Sequence, residues 1–197
     1  MEIILATQNN GKIKEFNELA KGTELNFIPV PSNPTFPEET GSAFFENASI
    51  KANFVFSLTG RACLGDDSGL EVDALYGKPG VHSSRFSKEA TDESNVDKLL
   101  NELKGVSCKD RSARFKCCLV LIQESANNLI SSEGVIEGKI AEEKKGDKGF
   151  GYDPIFIPEG SLIHMAEMDQ KEKNLISHRA NAFRSLLEKI SSDLTEK

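Results

Sequence analysis

The sequence predicts an α/β protein with a mixed β-sheet flanked by helices. Short apolar runs, which are typical of buried strands, alternate along the chain with segments whose apolar residues recur at helical spacing. Residues 115–122 and 129–138 are two such runs joined by a polar turn at residues 126–128, which predicts an antiparallel hairpin. Because strands and helices intermingle and one strand pair is antiparallel, we expect a mixed sheet.

The N-terminal half begins with a strand, a loop and a helix. Residues 3–6 predict a buried strand, and the helix that follows carries apolar residues on one face and ends at Gly22. A second strand is expected at residues 25–30, before a proline-rich loop. The next helix begins near Ser42 and ends at Gly60, because glycine is favoured just after a helix.

The C-terminal half is expected to contain two more helices besides the hairpin. Thr91 is a good N-cap for a helix that closes at Gly105. Another strand is expected at residues 154–157. An apolar stripe predicts a helix over the tail of the chain, and residues 177–179 open or interrupt it.

The size and composition of the chain predict a single globular domain. Its 197 residues contain no internal repeat and no obvious linker, so we expect a single domain over residues 1–197. Fractions of 38% hydrophobic and 28% charged residues are typical of a globular protein, and no apolar run approaches the roughly 20 residues that span a membrane. The N-terminus lacks the features of a secretory signal, which indicates a cytoplasmic protein without a membrane partner.

The net charge argues against a nucleic-acid-binding protein, and the cysteine spacing shows no C-x-x-C motif. A net charge of −7, from 24 Lys and Arg against 31 Asp and Glu, argues against an extended nucleic-acid-binding surface. The four cysteines form no C-x-x-C motif, so we expect buried free thiols at Cys63, Cys108, Cys117 and Cys118. Neighbouring side chains in a strand alternate, so Cys117 and Cys118 should point to opposite faces of the sheet.

The loop at residues 7–12 is the first candidate site. It joins the first strand to the first helix and carries Lys12, and free N–H groups at a helix start together with an ammonium favour an anion such as phosphate. The segment resembles the end of a P-loop, but Ala6 and Ile13 replace the glycine and the Ser or Thr of that motif, so it is not a P-loop. The alternative is an ordinary polar turn with a surface lysine.

Acidic residues form the second candidate site. Asp66 and Asp67 follow the apolar residues 62–65, at an expected strand-to-loop junction, where carboxylates are costly to bury unless a cation or hydrogen-bond donors meet them. Glu38 and Glu39 could join them as the oxygen ligands that Mg²⁺ prefers, and the second Asp could take a proton from water. The glutamate pair alone is equally explained as a solvated loop.

Two segments near the C-terminus could bind the rest of a ligand. Two glycines frame Phe150 and would leave one ring face open for a nucleobase, although a tight turn with a core aromatic is the plainer alternative. Further along, four side chains could donate hydrogen bonds to phosphate or to a keto oxygen. They are an ammonium, a hydroxyl, an imidazole and a guanidinium, from Lys173, Ser177, His178 and Arg179. A solvated helix face would also explain these charges, and the mid-helix Lys51 is similarly ambiguous.

The ordered set of motifs resembles the inosine triphosphate pyrophosphatase family. The resemblance runs from the first strand to the last helix, and each motif alone is weak whereas the set is specific. The motifs are Thr7-x-Asn9-x-x-Lys12, Glu38-Glu39-Thr40-Gly41 with Glu46-Asn47-Ala48, Asp66-Asp67-Ser68-Gly69-Leu70, Phe150-Gly151-Tyr152-Asp153-Pro154 and Ser177-His178-Arg179.

The resemblance implies both a fold and an activity. The family fold is an elongated mixed sheet flanked by helices, in two lobes with a central nucleotide-binding cleft, and usually a homodimer. Its members hydrolyse dITP, ITP and XTP to the monophosphate and pyrophosphate with Mg²⁺. The implied partners of this chain are therefore purine nucleoside triphosphates and a second copy of itself, with no nucleic acid.

The resemblance also implies a role for individual residues. Glu39 and Asp67 would hold the metal, and Asp67 would also be the catalytic proton acceptor, which leaves Asp66 to position the loop or a neighbouring lysine. Phe150 would stack on the base, and His178 with Arg179 would contact its 6-keto edge. The full set of implied substrate-binding residues is Thr7, Gln8, Asn9, Asn10, Gly11, Lys12, Lys51, Ser68, Phe150, Gly151, Tyr152, Asp153, Lys173, Ser177, His178 and Arg179.

Two rival functions remain open from the sequence. A pyrophosphatase for other modified nucleotides would share the architecture, although Phe150 and the Ser177-His178-Arg179 set argue against it. A nucleotide-binding sensor, or a single-strand nucleic-acid binder that stacks bases on Phe150, would bind without turnover; the net charge disfavours extended nucleic-acid binding.

Overall fold

A mixed sheet forms the framework of the protein. The computed structural model describes residues 1–123 and 128–195, with side chains up to residue 192. The strands are β1 Glu2–Leu5, β2 Asn26–Ile28, β3 Cys63–Val72, β4 Ser112–Ile122, β5 Leu129–Ile140 and β6 Phe156–Pro158. Their order is β2-β1-β3-β4-β5-β6; β1 is parallel to β2 and β3, whereas β6 is antiparallel to β5. The prediction of an α/β class with a mixed sheet is confirmed.

The helices begin and end at the residues that favour helix termini. They are α1 Asn10–Leu19, α2 Phe44–Thr59, α3 Asp92–Glu102, α4 Gln170–Ile176 and α5 His178–Thr195. Gly60 ends α2 in the left-handed conformation, with φ of +60°, which glycine adopts without a steric penalty. Thr91 caps α3, since its hydroxyl accepts a hydrogen bond from Ser94 N at 3.2 Å. Both boundaries agree with the prediction from sequence.

The chain divides into two compact units. Unit 1 consists of Met1–Asp67, Cys117–Gly134 and Ala182–Lys197, and unit 2 of Ser68–Lys116 and Val135–Asn181. Three strands, β3, β4 and β5, each contribute residues to both units. The predicted phosphate loop and Asp67 belong to unit 1, and Phe150 and Arg179 belong to unit 2.

Unit 1 has apolar clusters on both faces of its part of the sheet. Ile3 and Leu5 of β1 belong to one cluster and Ile4 to the other, as the alternation of a strand requires. Cys117 and Cys118 of β4 are divided in the same way, which confirms that the adjacent thiols point to opposite faces. The first cluster includes three aromatic rings with centroids 5.5 to 6.2 Å apart, from Phe16, Phe27 and Phe183.

Unit 2 has its own core around the second part of β3. Leu70 and Val72 of that strand pack with Leu99 of α3 and with Phe156 of β6, and all four are fully buried. Phe156 also contacts the ring of Phe115, at a centroid distance of 4.7 Å. This core supports the turn before β6 that carries the aromatic residue of the predicted base site.

The structure corrects the prediction for Asp66 and Asp67. We expected a strand-to-loop junction at these residues, but β3 continues through them to Val72, so both acids lie inside a ten-residue strand. They are buried, with exposed fractions of 1% and 6%. The strand continues because each carboxylate finds donors, as described below, and because Leu70 and Val72 beyond them are core residues.

Several smaller predictions also need correction. The first helix ends at Leu19 instead of Gly22, the second strand is shorter than residues 25–30, and a 3₁₀ turn replaces the start of the strand expected at 154–157. Cys108 is exposed, unlike the other three cysteines. The hairpin strands are adjacent, while residues 126 and 127 of the expected turn lie outside the described residues. Within the described chain, each helix is too short or too polar to cross a membrane.

Candidate active site

Asp66 is held by the lysine of the predicted phosphate loop. The Lys12 ammonium lies 3.0 Å from Oδ1 and 2.8 Å from Oδ2 of Asp66, so it contacts both carboxylate oxygens. The Asp66 side chain is 1% exposed and that of Lys12 is 17% exposed. A carboxylate buried to this degree needs such a partner, and in return it fixes the position of the lysine.

Asp67 shares a second lysine with Glu39. The Lys51 ammonium lies 2.8 Å from Glu39 Oε1 and 3.3 Å from Asp67 Oδ1. Burial acts to lower the pKa of Lys51, but the carboxylates of Asp66, Asp67 and Glu39 together raise it above its ordinary value. Two acids that the resemblance pairs as metal ligands thus contact one cation of the protein itself. Glu38, the other candidate ligand, is exposed.

The Asp67 carboxylate has an unusual environment for an acid. Burial raises its pKa, the Lys51 ammonium opposes that rise, and the nearby Glu39 carboxylate adds to it. Its second oxygen, Oδ2, accepts a hydrogen bond from Asn47 Nδ2 at 3.1 Å. A carboxylate with a raised pKa is a stronger base than one in water, which suits a proton acceptor.

The loop at residues 7–12 differs in one respect from the expected anion site. Asn9 caps α1, with its Oδ1 accepting hydrogen bonds from Gly11 N at 2.8 Å and Lys12 N at 3.3 Å. These two amides are therefore engaged by a side chain, whereas we expected them to be free. Thr7 Oγ1 accepts from Asn9 N at 3.1 Å, and Gln8 Nε2 donates to Pro34 O at 2.8 Å. Asn10, the first residue of α1, is exposed.

In unit 2, Asp153 holds the turn that presents Phe150. Asp153 Oδ2 accepts a hydrogen bond from Phe150 N at 3.0 Å and forms an ion pair with Lys173. Burial raises the pKa of Asp153, and the Lys173 ammonium opposes that rise. A Cβ at Gly149 would lie 2.1 Å from Asp153 Oδ2, so this close approach requires glycine.

The Phe150 ring is exposed and lies near two cations. It is 39% exposed, and its centroid is 5.1 Å from Lys173 Nζ and 5.0 Å from Arg179 Cζ. A cavity of about 330 Å³ in unit 2 is lined by the same turn and by Asp92, which accepts a hydrogen bond from Gly151 N at 2.7 Å. An exposed ring beside guanidinium and ammonium donors can stack on a planar base.

Three other predicted residues of unit 2, Tyr152, Ser177 and His178, are buried. His178 stacks on the Phe115 ring at 4.9 Å with 12° between the planes, and Tyr152 donates a hydrogen bond to Ser83 O at 2.8 Å. Ser177 Oγ accepts from Ala180 N at 3.2 Å, an N-cap contact for α5 that explains why the helix restarts there. Burial raises the pKa of Tyr152, which keeps its hydroxyl protonated.

Ser68, the first residue of unit 2, follows Asp67 directly. Its Oγ is buried and has no hydrogen-bond partner within the described part of the chain. The described residues also contain no cluster of three or more His, Cys, Asp or Glu side chains arranged to hold a metal. The resemblance implies two carboxylates, Glu39 and Asp67, and Mg²⁺ is usually held by one or two carboxylates with water and phosphate oxygens.

Asn47 belongs to one of the sequence motifs, but no role was predicted for it. Asn47 and Lys51 are four residues apart in α2 and lie on its buried face among Ala48, Ala52 and Val55. Polar residues on an apolar helix face need buried partners, and this spacing is the signal that could have pointed to the Asp67 contact.

Comparison with known proteins identifies the family. Residues 3–189 match the model of the Ham1 family. The chain is 44% identical to a dITP/XTP pyrophosphatase of Oceanobacillus iheyensis, over 94% of this chain and 95% of that protein. It is 46% identical to a dITP/XTP pyrophosphatase of Coxiella burnetii, over 100% of this chain and 98% of that protein.

A solved structure supports the same conclusion for the fold. The Ham1 protein of Staphylococcus aureus superposes with a TM-score of 0.86 at 37% identity, over 98% of this chain and 100% of that one. The family resemblance drawn from the motifs is thus confirmed over nearly the whole length. The chain belongs to the Ham1 family.

Proposed function

We propose that this protein is a nucleoside triphosphate pyrophosphohydrolase that converts dITP, ITP and XTP to the monophosphate and pyrophosphate. The names of its relatives support the reaction class. The observation that carries the proposal is the acidic centre of unit 1, where Glu39 and Asp67 contact one lysine and Asp66 holds another. Carboxylates that can bind a divalent cation, beside fixed ammonium groups that offset phosphate charge, suit hydrolysis of the phosphoanhydride bond between the α- and β-phosphates.

Glu39 and Asp67 fit Mg²⁺ as its protein ligands. Their oxygens are hard donors, and their contacts with one ammonium, that of Lys51, bring the two carboxylates close together. Glu39 is the better candidate of the two neighbouring glutamates because Glu38 is exposed and Glu39 is partly buried. When bound, the ion would offset the charge of the polyphosphate and lower the cost of attack at phosphorus.

The side chains of unit 1 then take distinct roles. Asp67, whose two carboxylate oxygens are held by Lys51 and Asn47, accepts a proton from the attacking water. Lys12, held by both oxygens of Asp66, offers a fixed positive charge to the phosphates, and Lys51 offers another. These charges stabilise the pyrophosphate leaving group as the bond to the α-phosphorus breaks. The role of Ser68 in substrate binding stays a prediction, because its hydroxyl oxygen is buried.

Unit 2 would recognise the base. Phe150 offers an exposed ring for stacking, and Arg179 is the donor toward a 6-keto oxygen, with Lys173 nearby. The amino group of adenine would leave such a donor unpaired, so ATP would be a poor substrate. Guanine also has a 6-keto group, so this contact does not by itself reject GTP. The roles of Ser177 and His178 in substrate binding stay predictions.

A substrate panel tests this proposal. The protein is incubated with Mg²⁺ and ITP, dITP, XTP, GTP or ATP, and pyrophosphate, orthophosphate and nucleotide products are measured. We expect pyrophosphate and the monophosphate from ITP, dITP and XTP. Release of orthophosphate, or no turnover of ITP, would refute the assignment; tight binding of ITP without turnover would favour the nucleotide-sensor alternative.

Three further expectations stay predictions from the sequence and the resemblance. These are a homodimer, a cytoplasmic location with no nucleic-acid or membrane partner, and a single domain of two lobes with a nucleotide cleft. Sedimentation analysis of the purified protein tests the first of them directly.

A further inference from the structure

Asn47 connects the two carboxylates of the proposed metal site. It lies in α2, its side chain is fully buried, and it makes one hydrogen bond with each end of its amide. Its Oδ1 accepts from the backbone N–H of Gly41 at 2.8 Å, and its Nδ2 donates to Asp67 Oδ2 at 3.1 Å. Gly41 lies two residues after Glu39, so one side chain touches both the loop of Glu39 and Asp67.

The direction of this amide is fixed by its partners. A backbone N–H can only donate, so the oxygen of the Asn47 amide must face Gly41. The NH₂ group must then face Asp67, whose ionised carboxylate can only accept. Asn47 is therefore a neutral donor to Asp67 whose orientation is set by a second contact on the other side.

The loop approaches Asn47 so closely that only glycine fits. A Cβ at Gly41 would lie 2.6 Å from Asn47 Oδ1 and 2.6 Å from Glu46 Cβ. Glu46 holds the next residue of the loop, because its carboxylate accepts from Ser42 N at 2.6 Å. The loop that carries Glu39 is thus held against the first turn of α2 by two side chains.

The contact leaves part of the Asp67 carboxylate available. An ionised carboxylate has about four acceptor positions, two on each oxygen. Lys51 uses one position on Oδ1 and Asn47 uses one on Oδ2. Among the described residues these are the side-chain donors to Asp67, so each oxygen keeps a further position there. The two donors limit rotation of the group, so its remaining lone pairs have a defined direction.

We propose that Asn47 is a positioning residue, which fixes the orientation of the Asp67 carboxylate and couples it to the loop of Glu39. It thereby sets the geometry of the two carboxylates toward a divalent cation. This inference rests on the proposed function of that site. Partners that orient metal-binding side chains typically contribute about 10- to 100-fold in metal affinity or activity.

Two variants and a matched control test the inference. Asn47→Ala removes both contacts, and Asn47→Asp keeps an acceptor for Gly41 but turns a carboxylate toward Asp67. Asn95→Ala is the control, because Asn95 is also buried, accepts from Ser87 N at 2.7 Å and donates to Ser84 O at 3.1 Å. It removes the same number of contacts, and both of its partners, Ser84 and Ser87, belong to unit 2.

The first measurement is Mn²⁺ binding by titration calorimetry without nucleotide, on full-length protein. We expect the Kd of Asn47→Ala to rise about tenfold and that of Asn95→Ala to stay within about twofold of wild type. A wild-type Kd in Asn47→Ala, or an equal loss in Asn95→Ala, would overturn the inference. Mn²⁺ binding is measured without nucleotide, so its result holds even if ITP is not a substrate. Failure of this inference can therefore be told apart from failure of the proposed function.

The second measurement is steady-state hydrolysis of ITP with saturating Mg²⁺. We expect kcat to fall at least about tenfold in both Asn47 variants, with KM for ITP within about threefold of wild type, because orientation of the base affects the chemical step. If Asn47→Asp keeps more than half of the wild-type kcat, Asn47 only holds the loop and the inference is wrong. Circular dichroism and melting curves establish that each variant is folded.

Discussion

Replacing Asp66 with Asn separates the roles of two adjacent acids. The substitution keeps the size of the side chain but puts an NH₂ group in place of one of the two oxygens that contact Lys12, at 3.0 and 2.8 Å. It also removes the negative charge that compensates the ammonium. We expect a loss of stability together with weaker substrate binding, and a smaller effect on the chemical step.

The expected magnitude follows from burial. Removing one partner of a fully buried ion pair costs about 3–5 kcal/mol. Asp66 is 1% exposed, but Lys12 is 17% exposed and can gain water, and the asparagine oxygen remains an acceptor. We therefore expect a decrease of about 2 kcal/mol in the free energy of unfolding, below the fully buried case. An ammonium no longer held in place should raise KM for ITP about tenfold, which corresponds to about 1.4 kcal/mol.

Urea unfolding and steady-state kinetics measure the two effects. Lys12→Met and the double variant complete a double-mutant cycle, which isolates the coupling between Asp66 and Lys12. A coupling energy of at least about 1 kcal/mol is expected for contacting residues of this kind. Asp66 does not hold Lys12 in the way described if Asp66→Asn changes neither the unfolding free energy nor KM, or if its kcat falls as far as that of an Asp67 variant.

Two further predictions concern the proposed catalytic and base-binding residues. Asp67→Asn should lower kcat by about 10²- to 10⁴-fold, because it removes the proposed general base. The control Asp73→Asn changes an exposed carboxylate of unit 2 and should leave kcat unchanged. An active Asp67→Asn enzyme in the pyrophosphate assay would exclude Asp67 as the base. Phe150→Ala should raise KM for ITP by about 10-fold, because base stacking on an aromatic ring is worth about 1–3 kcal/mol. Phe45→Ala, at 40% exposure close to the 39% of Phe150, should leave KM unchanged, and equal effects in the two variants would contradict stacking.

Local signals account for the elements that the sequence located well. Gly60 ends α2 and Thr91 begins α3, because a left-handed glycine and a capping hydroxyl act within one turn of their own helix. The alternation of Cys117 and Cys118 is equally local, since it depends only on strand geometry. The C-terminal helix restarts at His178 for a similar reason, an N-cap contact from Ser177.

Long-range contacts account for what the sequence left undetermined. Two adjacent acids predict a loop when no partner for them is known. The partner of Asp66 is Lys12, which lies 54 residues earlier in the chain, so local sequence does not reveal it. Once that ion pair and the contacts of Asp67 are present, the strand can run through both acids. The cap of α1 was missed although it is local. Asn9 accepts hydrogen bonds from the first amides of the helix, but a polar loop before a helix is equally typical of an anion site, which is what we expected there.

The position of the cleaved bond shows whether water attacks the α-phosphorus or another phosphorus of the triphosphate. ITP is hydrolysed with Mg²⁺ in water enriched in ¹⁸O, and mass spectrometry locates the label among the products. Attack of water at the α-phosphorus, with Asp67 as the proton acceptor, predicts one ¹⁸O atom in the monophosphate and none in pyrophosphate. Label in pyrophosphate, or labelled orthophosphate as the product, would contradict the proposed reaction.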